Sequence, residues 1–246
     1  MRDKKISIAM AVCNGEKYLK EQLESILNQI ETQDEIVISY DPSIDGTFAL
    51  IQEYAERNPS IKIFQNEEHS RGLVSNFENA LQHCSGDIIF YSDQDDIWFP
   101  TKLQKVSEKF ADSRVTVVIH DTILIDAKGN EIAPSTFAIR GGNTSLIKNL
   151  IRLSYIGCAM AFRADMLPIV LPLATTKRSH DWWTGSICSS FGRMEIIREP
   201  LILHRMHDDN ATPKKRPSLF YQISVRMRII SQLMVRKLKF ASKRED

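Results

Sequence analysis

Three carboxylates, Asp93, Asp95 and Asp96, stand within four residues between the apolar run Ile88-Ile89-Phe90-Tyr91 and the apolar pair Ile97-Trp98. An apolar run with aromatics predicts a buried strand, and open α/β sheets gather their ligands at the carboxyl ends of strands. Carboxylates crowded there repel one another, and a divalent cation relieves the repulsion. Hard oxygen ligands suit Mg2+ or Mn2+, which bind through one or two carboxylates together with substrate phosphates. A solvated acidic turn is the plainer alternative, and the apolar flanks on both sides favour the metal. Two further polar turns close short apolar runs: Asn14-Gly15-Glu16, and Asp41-Pro42-Ser43-Ile44-Asp45-Gly46. Downstream, Asp181 lies in His180-Asp181-Trp182-Trp183. Desolvation by the tryptophans would raise its carboxyl toward the range of a general base. An aspartate also suits the N-cap of a helix beginning at Trp182.

The elements that must position these groups follow from periodicity. Strands are expected at Ile6 to Cys13, Ile36 to Ile38, Ile61 to Phe64 and Ile88 to Ser92. Between them Tyr18 to Leu27, Thr47 to Arg57 and Leu73 to His83 have helical spacing. This alternation predicts a mainly parallel central sheet flanked by crossover helices, with all three polar turns at one edge. Past Pro100, a helix over Thr101 to Phe110 precedes strands at Val115 to Ile119 and Asp121 to Asp126, and a polar turn at 126–130 suits a hairpin. Ser135 to Asn143 reads as a loop, Ser145 to Leu153 as a short helix, and Met194 to Ile197 as a strand. Residues 1–210 read as one domain, with a nucleotide-binding half to about residue 100 and an acceptor half from 101 to 210, followed by a basic tail over 211–246.

Neither Gly-x-Gly-x-x-Gly nor a phosphate loop ending Gly-Lys-Ser/Thr is present, which disfavours a dinucleotide-binding enzyme or a P-loop NTPase. The net charge of +1 hides an asymmetry: residues 211–246 carry +8 and the remainder −7. The four cysteines are scattered without zinc or disulfide spacing, and no secretory leader or membrane-spanning run is visible. A cytoplasmic protein is expected.

From about Ile6 to Asn210 the chain resembles the family 2 glycosyltransferases of the GT-A fold. The likeness rests on motifs in order: Ala11-Val12-Cys13-Asn14-Gly15-Glu16 with Tyr18-Leu19 and Ser25-Ile26-Leu27-Asn28-Gln29; Ser39 to Thr47; Asp93-Gln94-Asp95-Asp96-Ile97-Trp98; His180-Asp181-Trp182-Trp183; and Arg205-Met206-His207 with Asn210. The last two are similar to bacterial rhamnosyltransferase-like enzymes of O-antigen and capsule polysaccharide synthesis. The resemblance implies an inverting transferase that takes a sugar from a UDP- or dTDP-linked donor to a saccharide or lipid-linked saccharide. It implies that Asp41 binds the nucleotide base, with Ala11, Cys13 and Glu16 around base and ribose. Asp93 and Asp95 form the Asp-x-Asp pair, Asp95 being the direct ligand of Mg2+ or Mn2+, and Asp181 is the catalytic base. Two departures stand out. Cys13 replaces a common tyrosine and so removes a stacking surface, and Tyr40-Asp41-Pro42-Ser43 replaces Asp-Asp-Gly-Ser.

Other assignments keep two readings. Arg205 and His207 are suited to the diphosphate, or His207 to the metal. His204 and His207 alone are not zinc-like. Trp182 and Trp183 can pack on a sugar or in the core, with core favoured for one of them, and His180 can contact substrate, pack or cap. Asn76 and Arg71 suit nucleotide contact or the surface. From Leu219 to Leu238, Phe220, Ile223, Met227, Ile230, Met234 and Leu238 recur at helical spacing amid Arg226, Arg228, Arg236, Lys237 and Lys239. This basic amphipathic helix over 219–239 suits an anionic membrane surface at the inner face of the plasma membrane, or packing on the domain or on a twin in a homodimer. Nucleic acid is not expected, because no matching recognition pattern accompanies the charge. The competing functions are a nucleotidyltransferase and a catalytically silent sugar-nucleotide-binding protein.

Overall fold

The computed structural model describes residues 2–67, 72–151, 154–173, 180–208 and 218–242. Arg71 and Asn210 lie outside the described residues. The first half alternates as its periodicity predicts: β1 (Ile6–Val12), α1 (Glu16–Leu27), β2 (Glu35–Tyr40), α2 (Thr47–Arg57), β3 (Ile61–Gln65), α3 (Leu73–Gln82) and β4 (Ile88–Ser92). These strands form a parallel sheet in the order β3-β2-β1-β4. Every residue of β1 is buried, as a central parallel strand covered on both faces requires. Its side chains divide with period two. Ile6, Ile8, Met10 and Val12 share one core with Leu19, Leu23 and Ile26 of α1. Ala9 and Ala11 share the other with Phe77, Ala80 and Leu81 of α3.

The second half consists of β5 (Ile97–Trp98), α4 (Lys102–Lys109), β6 (Val115–Ile125), β7 (Glu131–Ala133), α5 (Thr136–Arg140), α6 (Leu146–Ile151), β8 (Met160–Arg163), α7 (Leu167–Val170), α8 (His180–Phe191), β9 (Arg193–Arg205) and α9 (Leu219–Ser242). The sheet continues as β4-β8-β6-β9-β5. Here β8 runs antiparallel to β4 and β6, while β9 is parallel to β6 and antiparallel to β5.

Three local expectations change. Val115 to Ile125 is one strand rather than two; a register shift against β9 at His120/Asp121 marks the irregularity, and the hairpin turn at 126–130 joins it to β7 instead. Met194 to Ile197 is only the start of a strand reaching Arg205. The segment 136–140, expected to be loop, is a short helix whose N-cap Ser135 accepts the Ala138 N–H at 3.0 Å.

The basic helix also differs from its sequence reading. Among the described side chains of the helix, Val225, Ile229 and Leu233, not the expected stripe, are the buried ones, and they join the core that contains Trp182 and Trp183 of α8. The guanidinium of Arg236 donates to the carbonyls of Ile169, Leu171 and Pro172. The helix therefore lies against the domain through a narrow seam.

At the amino end of the sheet, Glu35 is nearly fully buried. It accepts from Lys62 Nζ at 2.5 Å, Ser7 Oγ at 2.5 Å, the Ser85 N–H at 2.7 Å and Ser85 Oγ at 2.8 Å. Burial alone would raise this carboxyl, but these donors hold it down at about 2. A lowered folded pKa gives stability that is complete above the ordinary 4.5 and disappears as pH falls toward about 2. Glu35→Gln is therefore expected to cost about 1.5–3 kcal/mol at pH 7, with the difference from wild type shrinking under acid; urea denaturation across that pH range measures it.

Candidate functional site

The carboxylate turn follows β4 and is fastened by α1 and the turn that ends it. Gln22 Nε2 donates to Ser92 Oγ at 2.7 Å, the Trp98 N–H to Ser25 Oγ at 3.0 Å, and the Leu103 N–H to Gln29 Oε1 at 3.1 Å. Gln22 and Ser25 lie three residues apart in α1 and Gln29 stands in the turn just past its end, so helix and turn together hold the chain on both sides of the acidic residues.

Cationic groups come from the end of β9. Pairing of Ile97 with Leu203 and of Trp98 with Ile202 brings that end beside the turn. His207 Nε2 lies 2.8 Å from Asp95 Oδ2. Arg205 Nε donates to the Asp95 carbonyl at 3.0 Å, its terminal nitrogen reaches Glu21 at 2.6 Å, and its guanidinium lies 4.6 Å over the Tyr18 ring. Asp96 points inward, its Oδ1 meeting His204 Nδ1 at 2.9 Å and the Arg205 N–H at 3.1 Å. The two histidines thus address different carboxylates. Burial alone would lower His204, but Asp96 holds it well above its ordinary value, and His204 in turn holds Asp96 below its own against the effect of burial. Asp93 is pushed up by burial and by the charges of Asp96 and Asp95.

Two donor sets can be compared for a metal. Asp96, Cys158 and His204 offer atoms within 4.8 Å of one another, yet a thiol is a poor partner for Mg2+ or Mn2+. Asp93 and Asp95 offer hard oxygens, with His207 alongside. Carboxylate oxygens are the hard donors that Mg2+ and Mn2+ prefer, so the chemistry of this second set fits the ion.

The residues expected at the nucleotide occupy the adjoining turns. Gln94 clamps the first of them, accepting the Cys13 N–H at 2.8 Å and donating to the Cys13 carbonyl at 2.9 Å. A Cβ on Gly15 would come within 2.5 Å of Gln94 Oε1, so glycine permits this clamp. Asn14 takes the left-handed conformation at φ 49°, and its Oδ1 accepts the Ile44 N–H at 2.9 Å. Glu16 accepts the Gly46 N–H at 2.8 Å. Asp41 receives Asn66 Nδ2 at 2.8 Å and the Gly72 N–H at 3.1 Å. Ala11 belongs to the core, so only its backbone borders the turn. Asn76 is buried rather than on the surface and donates to the Val12 carbonyl at 3.0 Å, bracing the end of β1. Cys13 is exposed.

Asp181 sits in the first turn of α8, not before it, and its Oδ1 accepts the Trp182 N–H at 2.7 Å. The helix is seated against β4 by the Tyr91–Thr184 hydroxyl pair at 2.8 Å. His180 is a packing residue: its ring stacks 4.2 Å from Phe77 and meets Tyr91 edge-on. Burial lowers its pKa to about 3, so it is neutral. Both tryptophans are buried, where only one was favoured for the core; Trp183 Nε1 donates to the Val170 carbonyl at 2.8 Å. Burial pushes the Asp181 carboxyl up to about 6, and the Tyr91–Thr184 pair sets its helix on the strand that ends at Ser92, next to Asp93. Base candidate and acidic turn thus share one end of the sheet.

Sequence reasoning missed Gln94, Asn66, Glu21 and the Asp96–His204 pair as positioning groups. Gln94 alone carried a local signal, lying between two of the carboxylates. Removing one partner of a buried ion pair strands the other, at about 3–5 kcal/mol. Asp96→Ala is accordingly expected to lose stability of that order, because His204 and the Arg205 N–H lose their acceptor; equilibrium denaturation at pH 7 reads the loss.

A family model described as "Glycosyl transferase family 2" matches residues 7–168. An uncharacterized glycosyltransferase of Nostoc, alr2836, is 29% identical over 216 residues, covering 84% of this chain and 66% of its own length. The dTDP-rhamnosyl transferase RfbG of Shigella flexneri is 24% identical over 213 residues, covering 82% of this chain and 72% of its own. Among solved structures, S. aureus TarS 1–349 in complex with UDP-GlcNAc superposes with a TM-score of 0.70 at 18% identity, over 93% of this chain and 66% of that one. The mannosyltransferase PcManGT of Pyrobaculum calidifontis, in complex with GDP-Man and Mn2+, gives 0.64 at 20% identity, over 97% and 65%. The chain thus spans just under two thirds of the Nostoc relative and of both solved chains. The shared architecture is the GT-A fold, and with two thirds of its length matched by the family model the chain belongs to glycosyl transferase family 2.

Proposed function

We propose that the chain is an inverting, divalent-metal-dependent glycosyltransferase. It moves a sugar from a UDP- or dTDP-linked donor to a hydroxyl of a saccharide or lipid-linked saccharide in cell-surface polysaccharide synthesis. The observation that carries this reading is that Asp181 opens the helix whose Thr184 hydroxyl meets Tyr91 of β4 at 2.8 Å, two residues before Asp93. The nucleotide-sugar complexes of TarS and PcManGT support the donor class, and the Shigella relative supports dTDP-rhamnose as one donor to test.

On this reading Asp41, Cys13 and Glu16 border the nucleotide, held in place by Asn66, Gln94 and the Gly46 N–H. Asp93 and Asp95, with His207, would hold Mg2+ or Mn2+, which supplies Lewis-acid stabilisation of the departing diphosphate. Asp181 takes the proton of the acceptor hydroxyl as its oxygen bonds to the anomeric carbon. The bond from that carbon to the diphosphate oxygen breaks on the opposite face, and the nucleoside diphosphate leaves. Arg205 is committed to Glu21 and the Asp95 carbonyl, so it acts by orienting the acidic turn. The protein would work in the cytoplasm; among the described residues no helix is long and apolar enough to cross a membrane.

The test is turnover on a panel of UDP- and dTDP-sugars with Mn2+ and Asp181→Asn beside wild type. General-base loss lowers kcat by about 10²–10⁴-fold while donor KM stays near normal. A base must be ionised, so the wild-type rate is expected to rise with pH through about 6. Full activity of Asp181→Asn at native stability would remove the base assignment, and donor binding without turnover in wild type would favour the silent binding protein. In Asp95→Ala, calorimetric titration with UDP or dTDP is expected to lose the increment in affinity that Mn2+ gives wild type; an unchanged increment refutes Asp95 as a ligand.

A further inference from the structure

Helix α9 has two apolar faces. Val225, Ile229 and Leu233 are buried against the domain. Phe220, Ile223, Met227, Met234 and Leu238 recur at helical spacing on the opposite side, about half a turn around at 3.6 residues per turn. That second stripe faces solvent: Phe220 is 82% exposed, Met227 60% and Leu238 72%. Basic residues edge the stripe on both sides, Arg228 and Lys239 on one and Arg226 and Lys237 on the other. No acidic residue occurs in the helix.

We infer that the outer face of α9 is a docking surface for an anionic lipid bilayer. A helix with an apolar stripe between cationic borders lies in the plane of an interface, its apolar side chains entering the acyl boundary and its Lys and Arg heads reaching the headgroups. Each basic residue near an anionic surface adds attraction that salt screens. The charge pattern selects this occupant over a second copy of the helix, because an antiparallel twin would bring like-charged borders together across the stripe. The docked helix also bears on the active site. Arg226 lies 5.6 Å over the ring of Trp182 and Arg236 5.5 Å over that of Trp183, so α9 grips the two residues that follow Asp181. A bilayer bound by α9 would thus lie on the side of the molecule that carries α8. This last consequence rests on the Asp181 reading; the docking itself does not.

The test is sedimentation with vesicles of phosphatidylglycerol and phosphatidylcholine, or of phosphatidylcholine alone, without donor or acceptor. Wild type is expected to pellet with the anionic vesicles, less so at high salt, and to stay in solution with the neutral ones. The triple variant Phe220→Gln/Met227→Gln/Leu238→Gln changes only exposed side chains and keeps the buried seam. It is expected to lose about tenfold or more in vesicle affinity with an unchanged melting temperature. Arg228→Glu/Lys239→Glu is expected to abolish the preference for anionic lipid. Failure of wild type to bind anionic vesicles, or equal binding by the triple variant, overturns the inference. So does a wild-type dimer that the triple variant dissolves, since a second copy would then be the occupant. Because no turnover is read, these outcomes are independent of whether the chain transfers sugar.

Discussion

Three carboxylates at the end of one buried strand cannot coexist without positive charge near them, and much of the second half of the chain meets that constraint. Asp96 is satisfied inside the protein by His204 and the Arg205 N–H. Asp95 is met by His207 and its backbone by Arg205. Asp93 is left with a raised carboxyl at the edge. This division of labour depends on the short β5–β9 pairing, which returns a strand from the far side of the sheet to the acidic turn. A charge fixed internally at Asp96 anchors the turn, and on the proposed reading Asp93 and Asp95 are the pair left to meet a ligand.

The same logic of fastening recurs around the site. Helix α1 and the turn that ends it hold the chain before and after the acidic residues through Gln22, Ser25 and Gln29. Gln94, inside the acidic turn, reaches back to clamp Cys13. The turn after β1 and the acidic turn are therefore tied by hydrogen bonds between the Gln94 side chain and the Cys13 backbone. The cost is carried by groups such as Lys102, fully buried with its ammonium on the Cys158 carbonyl at 2.7 Å and 3.5 Å over the Trp98 ring. Burial pulls its pKa down to about 7.

Helix α8 links chemistry to packing. Its first turn carries Asp181, its tryptophans enter the core, and the Tyr91–Thr184 pair sets it on the strand that delivers the carboxylates. Because α9 packs on those tryptophans, a change at the C-terminal helix is mechanically close to the proposed base. The fold thus joins the outer face of α9 to the residue proposed to act on the acceptor.

The local pattern of the sequence was enough for the alternating first half, for the edge at which the polar turns collect, and for the acidic cluster, because strand and helix periods and turn residues are short-range properties. The family follows from motifs that survive as ordered strings. What only the tertiary structure decided depends on contacts between residues far apart in the chain. Nothing near Asp96 announces that its partner is His204, and nothing in His180-Asp181-Trp182-Trp183 separates a packing histidine from a substrate contact until Phe77 and Tyr91 enclose the ring. The joined strand Val115 to Ile125 was hidden because His120 and Asp121 break its apolar run, although the sheet buries both. In α9 the periodicity of the chain pointed to an apolar stripe without saying which way it faces. That direction was set by Val225, Ile229 and Leu233, which found the hydrophobic surface of α8 and left the more apolar-looking stripe outside.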